Sequence, residues 1–432
     1  MPPAITGVYP SSVPVIVVDL VGVACLVALL AVAFLHPRGR YELLAGVSCT
    51  GAVLAVGAVS FTGVGDQVRS LLPVVLFLAA ILVVAELCAV EGLFVAVGQR
   101  VRRAGRARPR RLVALTFVVA SVVTAVLSLD ATVVLLTPVI AAAAAGTGAQ
   151  RAGMHACVRL ANSASLLLPV SNLTNLLALP HLDVSFTDWV LLMAPVWIVV
   201  ILVEYAGVLL VFPEARRRSS FGEPPNRAEL LRMPLVPLVT VVAMLAGFAA
   251  GSAVDLDPFW VAGAAALVLV AHALSRRATR GLAVVHAAHL PFAVFVLCLG
   301  VVVLAVTDSF LGEAVAGLIP SSDGLAAMLL IAALATALAN LVNNLPATLL
   351  LVPLVAALGP VAVLAALIGL NVGSGLTYTG SLANLLWRRT LRRGGQVADG
   401  RLFHLHALAV TPVAVLTATV VLWGWVRVTG LA

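Results

Sequence analysis

The chain has 432 residues, 62% of them apolar and 10% charged, with a mean hydropathy of +1.14; these values exclude a soluble domain of this size and specify a polytopic membrane protein. The net charge of +8 comes from 26 basic residues, all Arg, against 18 acidic ones. Because the Arg residues sit in short loops between apolar runs, the charge reads as membrane topology and excludes a nucleic-acid surface.

Residues 1–12 carry no basic segment, and the apolar run after them is long enough to span, so no cleaved signal peptide is expected. A spanning helix needs about 20 apolar residues, and runs at 13–35, 42–61 and 71–98 meet that length. Leu112 to Gly146 comes next, too short for two full spans and a turn and interrupted at Ser128-Leu129-Asp130 with Pro138 downstream. It is expected to be a re-entrant hairpin. The segment 160–180 is an apolar helix broken by Pro, Ser, Asn and Thr, and 189–212 is another span. After a linker at 213–232 the series recurs. Spans at 234–252, 258–274 and 284–306 lead to a second hairpin from Leu325 to Gly359, interrupted by Asn340-Leu341-Val342-Asn343-Asn344-Leu345-Pro346. A second broken helix at 361–386 and a last span at 404–428 complete it. The five Cys residues are scattered through apolar segments without a pairing pattern, as small buried hydrophobes are.

The two broken helices are copies of one another. Asn162 to Leu177 (NSASLLLPVSNLTNLL) and Asn371 to Leu386 (NVGSGLTYTGSLANLL) align without a gap at a spacing of 209 and match at seven of sixteen positions. Counting each broken helix as one crossing gives five crossings per half, an odd number, so the second half is expected to be inverted relative to the first. The expectation is therefore an all-α protein of about ten transmembrane helices and two re-entrant hairpins, with discontinuous helices at the midplane. Its parts are a first inverted repeat at 1–212 (cytoplasmic-side hairpin 112–146, broken helix 160–180), the cytoplasmic linker 213–232, and a second repeat at 233–432 (outer-side hairpin 325–359, broken helix 361–386). With the N-terminus outside, the cytoplasmic loops, including Thr147 to Arg159, hold 24 of the 26 Arg residues, as the positive-inside rule requires. Only Arg69 and Arg427 fall outside, and the outer loops carry Asp183, Asp188, Asp255, Asp257, Glu313 and Asp323.

Four interruptions around one cavity set the chemistry. Helices that start at mid-membrane aim unpaired N–H groups and a positive dipole end at the cavity, which favours an anion or an oxygen-rich solute, whereas carbonyls freed at a break would suit a cation. The side chains offered are Asp130 and Thr132 at the first tip, with Asn340, Asn343, Asn344 and Thr348 at the second. The first break offers Ser171, Asn172, Thr174 and Asn175, and the second Thr377, Tyr378, Thr379, Ser381 and Asn384. This set contains no Arg, so a small hydroxylated solute fits better than a di- or tricarboxylate held by bidentate pairing. Carboxylates inside spans are candidates for proton coupling. Asp130 ranks first, with Asn343 or Asn344 as its counterpart in the other half, and Glu86 is second. Glu91 and Glu204 rank lower, and Asp19, His272, His286 and His289 are read as structural. Metal, nucleotide and nucleophile motifs are absent. No ATPase site or cofactor is therefore expected on this chain, and an ion gradient or a separate subunit would drive transport.

Ser128-Leu129-Asp130-Ala131-Thr132 running into Leu136-Thr137-Pro138, Leu168-Pro169-Val170-Ser171-Asn172-Leu173-Thr174-Asn175, Asn343-Asn344-Leu345-Pro346, and Gly380-Ser381-Leu382-Ala383-Asn384-Leu385-Leu386-Trp387 together resemble the arsenical pump membrane protein family, ArsB, of the ion transporter superfamily. The resemblance implies export of arsenite or antimonite across the cell membrane in exchange for protons, and leaves a homodimer and a soluble ATPase subunit open as partners. Leu129 stands where many relatives have a polar residue, and neither tip carries the Ser-Asn-Thr of sodium-coupled dicarboxylate relatives. The rival readings are a sodium- or proton-coupled carboxylate or anion symporter, a sodium/proton antiporter of the same superfamily, and a membrane scaffold that transports nothing.

Overall fold

The computed structural model describes residues 14–35, 39–105, 108–182, 184–216, 230–254, 256–322 and 324–430. Asp183, Asp255, Asp323 and most of the 213–232 linker lie outside the described residues. The described residues are helical, with no strand among them. In the first half α1 (Val15–Leu35), α2 (Gly39–Ala55) and α3 (Phe61–Val90) precede a short helix, α4 (Leu93–Gly105). Then come α5 (Pro109–Leu127), a π-helical turn at Ala131–Leu136, α6 (Thr137–Ala143), α7 (Gln150–Ser163), α8 (Leu173–Ala178) and α9 (Phe186–Val211). The second half runs through α10 (Leu235–Ser252), α11 (Pro258–Ser275), α12 (Gly281–Ala287), α13 (Leu290–Thr307) and a short α14 (Phe310–Ala316). It ends with α15 (Leu325–Val342), α16 (Asn344–Val355), α17 (Pro360–Asn371), α18 (Leu382–Arg393) and α19 (Gly400–Thr429). The order of elements in the first half thus recurs in the second.

Nine helices among the described residues are long and apolar enough to cross a bilayer. Seven match expected spans. The other two, α5 and α15, are the first arms of the hairpins, so the arms are unequal: each long arm leads into a shorter apolar one, Ala131–Ala143 or Asn344–Leu358. The expected span at 42–61 forms only the 17-residue α2, which stops ahead of Gly57 at φ 73°. The expected span at 71–98 is displaced. Ser60 caps α3 by accepting from the Gly63 N–H at 3.0 Å, so the helix starts ten residues earlier, and Gly92 at φ 82° ends it. The first broken helix starts at Gln150 and not near 160, which moves Arg159 out of the loop to which the charge pattern assigned it and into α7, where it is 2% exposed.

Packing interlocks the halves. In the first, α3 lies against α11 and α13 of the second, and α9 against α19. Within the second half α15 and α17 approach closely, since a Cβ on Gly369 would strike the Ala332 carbonyl and Ala335. Small residues serve helix contacts where lipid offers no hydrophobic gain. Proline falls inside α3, α9, α16 and α19, which neighbouring helices in a membrane tolerate.

Candidate functional site

Each hairpin reverses at a single residue with positive φ: Ser128 (φ 122°) and Asn343 (φ 74°). Both cap the helical turn that comes after them. Ser128 Oγ accepts from the Ala131 N–H at 3.5 Å, and Asn343 Oδ1 from the Leu345 N–H at 3.3 Å. Superposing these tips aligns Asp130 with Leu345, and not with Asn343 or Asn344, so the carboxylate has no polar counterpart in the other half. Asn340, Asn343 and Asn344 fasten the second tip to the second break. Asn343 Nδ2 donates to the Thr379 carbonyl at 3.0 Å, the Asn344 N–H to the Gly380 carbonyl at 3.0 Å, and Asn340 Oδ1 accepts from Thr377 Oγ1 at 2.9 Å.

The two breaks are held by one reciprocal amide network. Asn175 Nδ2 donates to the Ser165 and Leu168 carbonyls at 2.8 and 3.1 Å, and Asn384 Nδ2 to the matching Ser374 and Thr377 carbonyls at 3.0 and 2.7 Å. Their oxygens face across the molecule: Asn371 Nδ2 donates to Asn175 Oδ1 at 2.8 Å and Asn162 Nδ2 to Asn384 Oδ1 at 2.7 Å. Asn172 Nδ2 and Thr174 Oγ1 add donations to Asn371 Oδ1 at 2.8 and 2.6 Å. Two carbonyls freed by each interruption are satisfied in this way, as a buried backbone requires.

A cavity of about 490 Å³ lies between the tips, the breaks, α3 and α13. Of the expected site residues, Glu86, Asp130, Ser171, Asn172, Thr174, Asn343, Asn344 and Ser381 line it. Thr132, Asn175, Thr348, Thr379 and Asn384 are not in its lining. Thr132 bonds Thr124 at 2.7 Å, Thr348 donates to the Asn344 carbonyl at 2.6 Å, and Thr379 pairs with Thr377 at 3.1 Å. One carboxylate oxygen of Asp130 is closed off from solvent and has no hydrogen-bond partner among the described residues. Such a group favours a proton or an incoming donor. The π-helical turn begins immediately after it, a form that recurs at functional sites.

Sequence reasoning missed several residues. Arg389 and Arg393 line the cavity beside Glu42 and His289, two and three turns along α18 from Ser381, or roughly 12 and 18 Å at 1.5 Å per residue. The cavity thus has a hydroxyl and amide end at the tips and a charged end on the Arg-rich side. Asn162 with Asn371, and Ser165 with Ser374, are two of the seven matched positions in the internal repeat, so the repeat itself carried the signal for them. Arg159 was hidden by its neighbours in a basic stretch. Its Nε and Nη2 donate to Glu204 at 2.9 and 2.6 Å, Nη2 also to Thr411 at 2.7 Å, and Nη1 to the Gly375 carbonyl of the second break at 3.0 Å. Glu204, ranked low as a proton carrier, is therefore half of a buried ion pair. Glu91 lies 3.9 Å from His272.

Comparison with known proteins agrees with this architecture. The YdaH transporter of Alcanivorax borkumensis, whose crystal structure is described as having an unusual topology, superposes with a TM-score of 0.57 at 18% identity, over 95% of this chain and 98% of that one; the likeness shows the fold. Arsenical pump membrane proteins of Escherichia coli and Yersinia enterocolitica are each 26% identical over 78% of this chain and 83% of theirs, and that of Escherichia coli strain K12 is 27% identical over the same shares. The model of the CitMHS family, described as citrate transporter, matches residues 13–370. A match over that much of the chain, on a membrane fold shared with a solved transporter, means that the protein belongs to the citrate transporter family of membrane transporters.

Proposed function

We propose that the protein is a secondary transporter that exports a trivalent metalloid hydroxide, arsenite or antimonite, in exchange for protons across the cell membrane. The observation that carries this reading is the tip end of the cavity. It brings Asp130 into one lining with Asn172, Thr174, Asn343, Asn344 and Ser381, and its lining there includes no basic side chain. Arsenous acid is an uncharged triol at neutral pH, so it needs hydrogen-bond donors and acceptors, not a guanidinium. Asp130 would hold the exchanged proton, with Glu86 further along the same wall. The relatives named arsenical pump membrane proteins support the choice of solute. In this reading residues 1–212 and 233–432 are inverted halves about the 213–232 linker, with the N-terminus outside, and the cavity opens toward the Arg-rich cytoplasmic side.

A second reading has specific support. The name of the matching family model and the two guanidiniums at the charged end, on a cavity far larger than a triol, favour a polycarboxylate. Proteoliposomes separate the two. Arsenite-driven proton movement that citrate or succinate does not elicit is the expected result. Labelled citrate uptake without any arsenite response would replace the first reading by the second.

A further inference from the structure

Three of the five buried cysteines meet in one place, away from the Asp130 tip. Cys25 on α1, Cys49 on α2 and Cys298 on α13 come from helices that pack against one another. The Cys49 thiol donates to the Cys25 carbonyl at 3.8 Å, and the two thiols are themselves hydrogen-bonding neighbours, with Cys298 also within electrostatic reach of Cys49. Cys298 closes the third side: a Cβ on Gly46, one turn before Cys49, would come 3.2 Å from its Sγ. Cys88 and Cys157 lie on α3 and α7, outside this group.

Each helix face that carries one of these thiols continues to the charged end of the cavity. Cys25, Leu29 and Ala33 share one face of α1, Glu42, Gly46 and Cys49 one face of α2, and Pro291, Phe295 and Cys298 one face of α13. Ala33, Glu42, Pro291 and Phe295 line the cavity. The thiols thus lie roughly 10–12 Å along their helices from Ala33, Glu42 and Pro291, at 1.5 Å per residue. The seam that holds them is continuous with the cavity wall. One polar atom in it is left over: Thr50 Oγ1, next along α2 from Cys49, is closed off from solvent without a satisfying hydrogen bond, and the Cys298 thiol is beside it. A buried hydroxyl so placed favours an incoming donor.

We propose that Cys25 and Cys49 form a dithiol site for trivalent arsenic in the seam between α1, α2 and α13, walled by Cys298. Arsenous acid exchanges two of its three hydroxyls for the two sulfurs. Two As–O bonds break and two As–S bonds form, each thiol proton leaves with a hydroxyl as water, and the arsenic stays trivalent. The product carries no charge, so an apolar seam accepts it without burying an ion. Its remaining hydroxyl supplies the donor that Thr50 Oγ1 lacks. A metal ion fits less well: among the described residues no three His, Cys, Asp or Glu side chains are placed to hold one, and zinc takes four ligands in a structural site. Trivalent arsenic needs only two thiols and a hydroxyl. Once captured, it joins α1 to α2 beside the cavity.

The inference takes its solute from the function proposed above, and its test reads binding without transport. Full-length protein, reduced and purified in detergent, is titrated with phenylarsine oxide, which gives up its oxygen as water to two thiols, and intact mass counts the adducts. Wild type should gain one phenylarsenic group. Cys25→Ser or Cys49→Ser should weaken binding roughly tenfold or more, since the second bond is no longer intramolecular, while Cys88→Ser and Cys157→Ser bind as wild type does. An adduct retained at full affinity in Cys49→Ser, or none in wild type, would overturn the site. Independently of how the variants fold, X-ray absorption by arsenite-loaded wild type should show at least two sulfur neighbours around the arsenic. Oxygen neighbours alone would overturn the site. Protein that takes up the arsenical but moves no arsenite in proteoliposomes would overturn the function proposed above and leave the site standing.

Discussion

Glu204→Ala gives the most direct energetic test of how the breaks are held. The carboxylate receives Arg159 Nε at 2.9 Å, Arg159 Nη2 at 2.6 Å and Ser163 Oγ at 2.8 Å, at a site with no exposed area. Its removal leaves a guanidinium 2% exposed with only the Thr411 hydroxyl and the Gly375 carbonyl as partners. Breaking a buried pair from one side costs about 3–5 kcal/mol, because the remaining charge stays desolvated. With an unfolding entropy of roughly 2.1 cal/mol/K per residue, or about 0.9 kcal/mol/K for this chain, that amounts to a fall of about 3–6 °C in Tm. Replacing both partners, as in Arg159→Met with Glu204→Leu, removes both charges and should recover most of the loss. Thermal unfolding of the three proteins in one detergent, monitored by tryptophan fluorescence, measures this directly. A single variant within about 1 °C of wild type, or a double variant less stable than the single, would refute the reasoning.

Asn384→Ala deletes two donations to freed carbonyls and the acceptor for Asn162, and should cost about 2–4 kcal/mol, seen as a lower Tm. Gly375→Ala places a Cβ 2.8 Å from Arg159 Nη1, so it should lower Tm in wild type but much less in the Arg159→Met background. Ser128→Gly should be tolerated at φ 122° while Ser128→Val should abolish folded yield, since a β-branched side chain is strained there. The Leu402 N–H donated to Asp399 holds that carboxyl below the usual carboxylate range. Its contribution to stability is therefore complete above the unfolded pKa and is lost as pH falls through the folded one. The Tm of Asp399→Asn should fall less than that of wild type on acidification, and an identical pH dependence would contradict the assignment.

The sequence made the helical class, the two interruptions in each half and the internal repeat legible, because apolar runs and breaks are local features. The arms of the hairpins were harder to read: Leu112 to Gly146 contains no residue that announces a long arm and a short one, and the inequality depends on where Ser128 turns the chain. Arg159 illustrates a second limit. Charge counting assigns an Arg in a basic stretch to a loop, whereas its partner Glu204 is 45 residues away and only packing brings them together. Asn175 and Asn384 are aligned positions of the repeat, but whether an amide faces a cavity or a carbonyl is decided by side-chain direction over a few ångströms. The tip residues Asp130, Asn343 and Asn344 line the cavity because strained turns place them there, and the turns themselves were visible as polar interruptions.

The central claim, that the Asp130 carboxylate at the first tip couples a proton to the export of an uncharged metalloid, is tested most directly in cells. Arsenite accumulation is measured in an arsenite-sensitive bacterium expressing the chain, with and without a protonophore, beside Asp130→Asn present at equal membrane levels. The account predicts low cellular arsenite that rises when the proton gradient collapses, and high arsenite in the variant under both conditions. Accumulation in Asp130→Asn as low as in wild type, and equally sensitive to the protonophore, would contradict it.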